Sequence, residues 1–148
     1  MKLSKEGIDL IKSHEGCKLK AYLCPAGIPT IGYGNTFYPN GGKVNIGDVI
    51  TQQQANDMFK VIVEKFSLSV SKMVNPNLSD NQFSALVSFA YNVGTGALSK
   101  STLLKKVLKN PLDTGIRDEF MKWTKAGGKE LAGLISRRKD EANLYFTA

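Results

Sequence analysis

Ala55, Met58, Phe59, Ile62, Phe66 and Val70 recur every three to four residues, the spacing that lines apolar side chains along one face of an α-helix. Thr51-Gln52-Gln53-Gln54 ahead of them reads as a capping box, and Pro76 cannot continue the run. A single long helix therefore divides the chain, and the residues on its two sides follow different patterns. Before it, Cys17 to Asn45 is broken by Pro25, Gly27, Pro29, Gly32, Gly34, Pro39, Gly41 and Gly42, which predicts a small twisted sheet with tight turns. Ahead of that, Ser4 can cap a short helix that buries Ile8 and Ile11 and stops at Gly16, leaving Glu15 at the helix C-terminus. Beyond Pro76, Ser79-Asp80-Asn81-Gln82 is a second capping box. It opens a helix carrying Phe83, Leu86, Val87, Ala90 and Val93, widened by Phe89 and Tyr91 into a surface buried on most sides. Further helices are predicted at about Ser101–Lys109, Ile116–Trp123 and Leu134–Phe146. The class is α+β in two lobes: sheet-containing to about residue 50, a connecting helix over about 51–75, and a helical lobe over about 76–148.

Several classes are excluded at this point. No apolar run approaches the roughly 18–20 residues of a spanning helix, so stable membrane insertion is not expected. Met1 to Ile8 lacks the pattern of a signal peptide, which predicts a chain that stays where it is made. Two cysteines and one histidine are too few for a disulfide scaffold or a structural zinc site, and no metal is expected. Alternation along Lys18–Cys24 puts Cys17, with Leu19, Ala21 and Leu23, on an apolar face and Cys24, with Lys18, Lys20 and Tyr22, on the other. Seven strand steps span roughly 23 Å, too far for a Cys17–Cys24 bridge. Twenty Lys and Arg against thirteen Asp and Glu give a net charge of +7, which suits an anionic partner. Nucleic acid is a poor fit, because no binding motif and no aromatic-basic interleaving is found.

Glu15, Cys24 and Thr30 are a helix end, a strand end and the start of a strand after a turn, and they are expected to converge where a cleft would open. Eight residues separate the first pair and five the second. This spacing, with the Gly32-Tyr33-Gly34 that follows, resembles the signature of the T4-like phage lysozyme (endolysin) family of glycoside hydrolases. Leu78 to Gly94 resembles the family's central helix, and Ala126-Gly127-Gly128-Lys129 with Gly133-Leu134 and Arg137-Arg138 its C-terminal motif. The resemblance implies a two-lobed lysozyme fold. It also implies hydrolysis of the β-1,4 bond between N-acetylmuramic acid and N-acetylglucosamine of bacterial peptidoglycan, with no cofactor, by a monomer. An endolysin of this kind waits in the host cytoplasm until a holin opens the membrane, then acts at the cell wall.

Within that resemblance Glu15 is the proton donor, Cys24 stands where many relatives carry aspartate, and Thr30 holds the attacking water. A glutamate working as an acid near neutrality needs a raised pKa, which burial or the negative end of a helix can supply. An unperturbed thiol is only a few per cent thiolate, so Cys24 needs its pKa lowered, and Lys18 and Lys20 are the candidates. Cys17 reads as a small buried hydrophobe. Gly34, Thr36, Tyr91 and Ser101 are the implied substrate contacts, although Tyr91 can equally be core and Ser101 a helix cap. Asn35 replaces the histidine that commonly follows Gly-Tyr-Gly, so an imidazolium–carboxylate pair is lost there. Arg137, Arg138 and Lys139 read either as a solvated helix face or as a patch that guides the protein to wall polymers or reaches Glu15. Two rival functions share these features: a lytic transglycosylase acting with one acid, and a non-catalytic cationic module that binds cell wall or membrane.

Overall fold

The predicted long helix runs over Gln52–Ser71 (α2) in the computed structural model, which describes residues 1–148. Its entry is the expected reciprocal cap: the Gln54 amide donates to Thr51 Oγ1 at 3.1 Å, and the Thr51 amide to Gln54 Oε1 at 2.8 Å. The chain forms two compact units, Glu15–Lys65 and Met1–His14 with Phe66–Ala148. The first helix, α1 (Lys5–Glu15), thus belongs almost entirely with the C-terminal helices. The reason lies in Ser84, whose Oγ accepts from the Ser4 amide at 2.8 Å and whose Cβ lies against Gly7.

In the smaller unit, β1 (Lys18–Leu23) and β2 (Pro29–Gly32) pair antiparallel, with Tyr22 opposite Thr30. The loop between them is built on Pro25-Ala26-Gly27. Gly27 N donates to Cys24 O at 2.8 Å and Cys24 N to Ile28 O at 3.0 Å, with Gly27 at φ +76°. Pro25 sets the turn and Gly27 supplies the left-handed residue of a three-residue hairpin. The other edge of β1 meets Val49 through a bridge at Lys20. A register irregularity between Lys18 and Tyr22 breaks the expected two-residue alternation. Consequently only Ala21 of the predicted apolar face is buried, while Leu19 and Leu23 are exposed and Cys17 is half-buried beside the Gln52 side chain. The core of this unit is Ile31, Tyr33, Val44 and Ile50 packed under Ala55, Met58, Phe59 and Val63 of α2.

The helical unit is centred on α3 (Asp80–Val93), where the Ser79/Gln82 capping box forms as predicted and every residue from Phe83 to Ala90 is buried. α4 (Thr95–Lys100), α5 (Thr102–Lys109) and α6 (Ile116–Phe120) follow. A hairpin of β3 (Lys125–Ala126) and β4 (Lys129–Glu130) then leads into α7 (Ala132–Tyr145). α4 and the hairpin were not predicted, and α6 ends three residues short of Trp123. Arg137 and Arg138 do not form a solvated face. Both are buried, with their Nε atoms 3.2 and 2.8 Å from the carboxylate of the wholly buried Glu141. Ser88 Oγ donates to the same carboxylate at 2.6 Å, and the Arg138 guanidinium lies over Phe89. Neither arginine can guide the protein to a wall polymer, because burial removes both from solvent.

Candidate active site

Each candidate catalytic side chain is set by a local stop or turn. Glu15 is the last residue of α1, and Gly16 at φ +68° ends the helix directly after it, as left-handed stops do. The half-buried carboxylate rests on the backbone of Gly34. A Cβ at that position would collide with Oε1 and lie 3.1 Å from the carboxyl carbon, and Gly34 itself has φ +77°. Two independent constraints therefore demand glycine there. The turn that delivers Gly34 is closed by reciprocal backbone bonds between Ile31 and Asn35, both 2.9 Å, and by Asn35 Oδ1 accepting from the Tyr33 amide at 3.3 Å. Asn35 thus shapes the glycine turn from a buried position.

Cys24 ends the hairpin's first strand, half-buried at the mouth of the Pro25-Ala26-Gly27 turn. Its thiol pKa is held below the ordinary value chiefly by the backbone N–H of Ile28, with the Ala26 N–H and the Thr30 hydroxyl adding to it and desolvation opposing it. The lowering comes from the turn amides and Thr30 rather than from the Lys18 and Lys20 charges that the sequence suggested, because hydrogen bonds to the sulfur favour its charged form directly. Thr30 is buried, and its hydroxyl lies 2.9 Å from Ile28 O. That hydroxyl carries a single proton, so it can donate either to the Ile28 carbonyl or to a Cys24 thiolate but not to both.

One further residue belongs with these. Tyr22, across from Thr30 and two residues before Cys24, has a phenol pKa raised by burial first and then by the charges of Glu15 and Cys24. It lies within the field of both groups, and the strand alternation that put Tyr22 on the Cys24 face was the signal that could have marked it. The smaller unit therefore gathers Glu15, Tyr22, Cys24, Thr30 and Gly34. Thr36 lies just beyond, half-buried, with its carbonyl accepting from Val44 N at 3.1 Å.

Tyr91 and Ser101 belong to the helical unit. Tyr91 is half-buried with its ring 5.1 Å from that of Phe66. Ser101 is buried, and its hydroxyl donates to Leu98 O at 2.7 Å and accepts from the Leu104 amide at 3.0 Å. That is the work of a cap joining α4 to α5.

Residues 12–141 match the phage lysozyme family. The chain is 41% identical over 152 aligned positions to the endolysin of Acyrthosiphon pisum secondary endosymbiont phage 1, covering all of both proteins. It is also 41% identical to the endolysin of Bacillus phage B103, of which it spans 55%. Among solved structures, the endolysin of Escherichia coli O157:H7 phage FAHEc1 superposes with a TM-score of 0.88 at 39% identity, over 99% of this chain and 94% of that one. With this fold, these relatives and the family match spanning most of its length, the chain belongs to the phage lysozyme family and is a glycoside hydrolase of the lysozyme class.

Proposed function

We propose that the protein hydrolyses the β-1,4 bond between N-acetylmuramic acid and N-acetylglucosamine in bacterial peptidoglycan, with Glu15 as proton donor, Cys24 as the second catalytic group and Thr30 as its partner. The observation that carries this reading is the gathering of Glu15 on Gly34 and Cys24 beside Thr30 within one unit, with Tyr22 in the field of both. Glycosidic hydrolysis needs a protonated group at the leaving oxygen and a second group opposite, which activates water or attacks the anomeric carbon. Glu15 supplies the first. Cys24, with its thiol biased toward thiolate by the turn, supplies the second, and the Thr30 proton swings from Ile28 O to whichever of sulfur or water holds negative charge. The bare backbone of Gly34 seats the carboxylate closely, and Thr36, half-buried just beyond that turn, is the proposed substrate contact.

In its biological setting the reading is host-cell lysis by an endolysin released from the cytoplasm through a holin-dependent step. No helix is long and apolar enough to cross a membrane.

Mass spectrometry of the fragments released from purified peptidoglycan tests the assignment. Reducing N-acetylmuramic acid ends are expected. Anhydro-muramic ends would make the protein a transglycosylase, and an absence of fragments would leave only a binding module. Glu15→Gln is expected to lower the rate roughly 10²–10⁴-fold, and retention of most activity would remove Glu15 from its role. The anomer released identifies Cys24 as base, if inverted, or as nucleophile, if retained.

A further inference from the structure

The positive charge that the sequence analysis placed on the last helix lies elsewhere. Residues 100–129 carry eight Lys and Arg against three Asp and Glu. Within them α5 is sharply two-faced: Leu103, Leu104 and Val107 are buried, while Thr102, Lys105, Leu108 and Lys109 are exposed. Helical spacing puts Lys105 and Lys109 one turn apart on one stripe, with Leu108 beside them. Lys106, on a different side of the helix, is committed to Glu119 at 2.9 Å.

Leu108 is 51% exposed and Leu112, in the turn that follows, 75% exposed. That turn is held in place. Leu112 N donates to Asn110 Oδ1 at 3.0 Å, Asp113 N to Asn110 O at 3.0 Å, and Tyr145 Oη to Pro111 O at 2.8 Å. The Asp113 carboxylate is turned inward, accepting from Gly115 N at 2.8 Å. The two leucines are thus presented to solvent by an ordered scaffold, in the same short segment as two exposed lysines. A hydrophilic polyanion would use the lysines and find nothing for the leucines. An anionic bilayer surface uses both, lysines at the phosphates and leucines at the acyl boundary.

We propose that the exposed face of α5 with the Asn110–Asp113 turn docks the protein on membranes containing anionic phospholipid, through Lys105 and Lys109 at the headgroups and Leu108 and Leu112 below them. This surface is independent of the catalytic assignment. The bilayer is chosen over a soluble polymer because the apolar pair and the cationic pair coincide.

Co-sedimentation with vesicles of equimolar phosphatidylcholine and phosphatidylglycerol, against phosphatidylcholine alone, tests it. The unaltered protein is expected to bind the anionic vesicles only, and less as salt rises. Each lysine near such a surface favours binding about five-fold, so Lys105→Gln with Lys109→Gln is expected to weaken it about 25-fold. Leu108→Asn with Leu112→Asn is expected to weaken it about tenfold without changing the salt dependence. Leu112→Trp is expected to shift its fluorescence to the blue on vesicles and not on polyphosphate. All of these sites are exposed, so turnover on purified peptidoglycan is expected to be unchanged and reports that the variants fold. Failure of the unaltered protein to prefer anionic vesicles overturns the proposal. So does equal binding by the leucine variant with polyphosphate competing fully, since the face would then read charge alone.

Discussion

Thr30 shows how much can hang on one hydroxyl. It has one proton to give and two acceptors in reach, the Ile28 carbonyl and the Cys24 sulfur. Thr30→Val keeps the β-branched shape and removes the donor. It is expected to raise the Cys24 thiol pKa, slow alkylation of that thiol by iodoacetamide near neutrality, and move the acidic limb of the activity profile to higher pH. The comparison belongs in a Cys17→Ser background, where one thiol reports. The sign for stability follows the same shift. A thiol pKa lowered on folding adds stability above the ordinary thiol value, and that contribution fades as pH falls through the folded-state value. A Thr30→Val pH profile overlapping the parent's would separate the hydroxyl from the sulfur. At this scale the sequence was readable where a residue's placement follows from local geometry: Glu15 at a helix stop, Gly34 at a turn. It was silent on what tunes Cys24, because the Ile28 and Ala26 amides carry no side-chain signature. It also pointed to lysines whose charge in the sequence says nothing of their distance from sulfur.

Among the elements, α1 depends on a contact between its own Gly7 and Ser84 of α3. A helix-interior Gly→Ala change ordinarily gains about 1 kcal/mol from propensity. Gly7→Ala is expected to do the reverse, because the new methyl meets Ser84 Cβ and overpacking costs about 1–3 kcal/mol. A lowered melting temperature, partly restored by adding Ser84→Gly, would show it; a raised one would mean that α1 shifts freely. α2 and α3 were legible because periodicity and caps agree over many residues. The β3–β4 hairpin was missed although Gly127 and Gly128, at φ +59° and +78°, are the left-handed pair that a two-residue turn requires. Its flanking strands are two residues long and exposed, leaving no alternation to notice. The Arg137–Glu141 cluster misled for the opposite reason: charged residues on a helix ordinarily signal solvent, whereas here the pairs one turn apart within α7, at 3.2 and 2.8 Å, are covered by Ser88 and Phe89 of α3.

The whole molecule is organised so that the helical unit is drawn from both ends of the chain and the smaller unit from one uninterrupted stretch. Native-state hydrogen exchange is expected to follow that division. Amides of Ile8–Ile11 should open together with those of α3, to which α1 is tied through Ser84, rather than with the neighbouring residues of β1. Co-exchange of α1 with β1 would contradict it. Two lobes were visible in the pattern, but the allegiance of the first helix was not, since it depends on a bond between residues eighty positions apart. That separation has a consequence during synthesis. When Glu15 is added to the growing chain, about seventy residues must still follow before Ser84 exists, a wait of roughly 4–14 s at ordinary elongation rates. An 11-residue helix without its partner is marginal in water. The segment carrying Glu15, the proposed proton donor, therefore stays unformed until then, and the nascent chain brings its two proposed catalytic groups into place only after its central helix has been made.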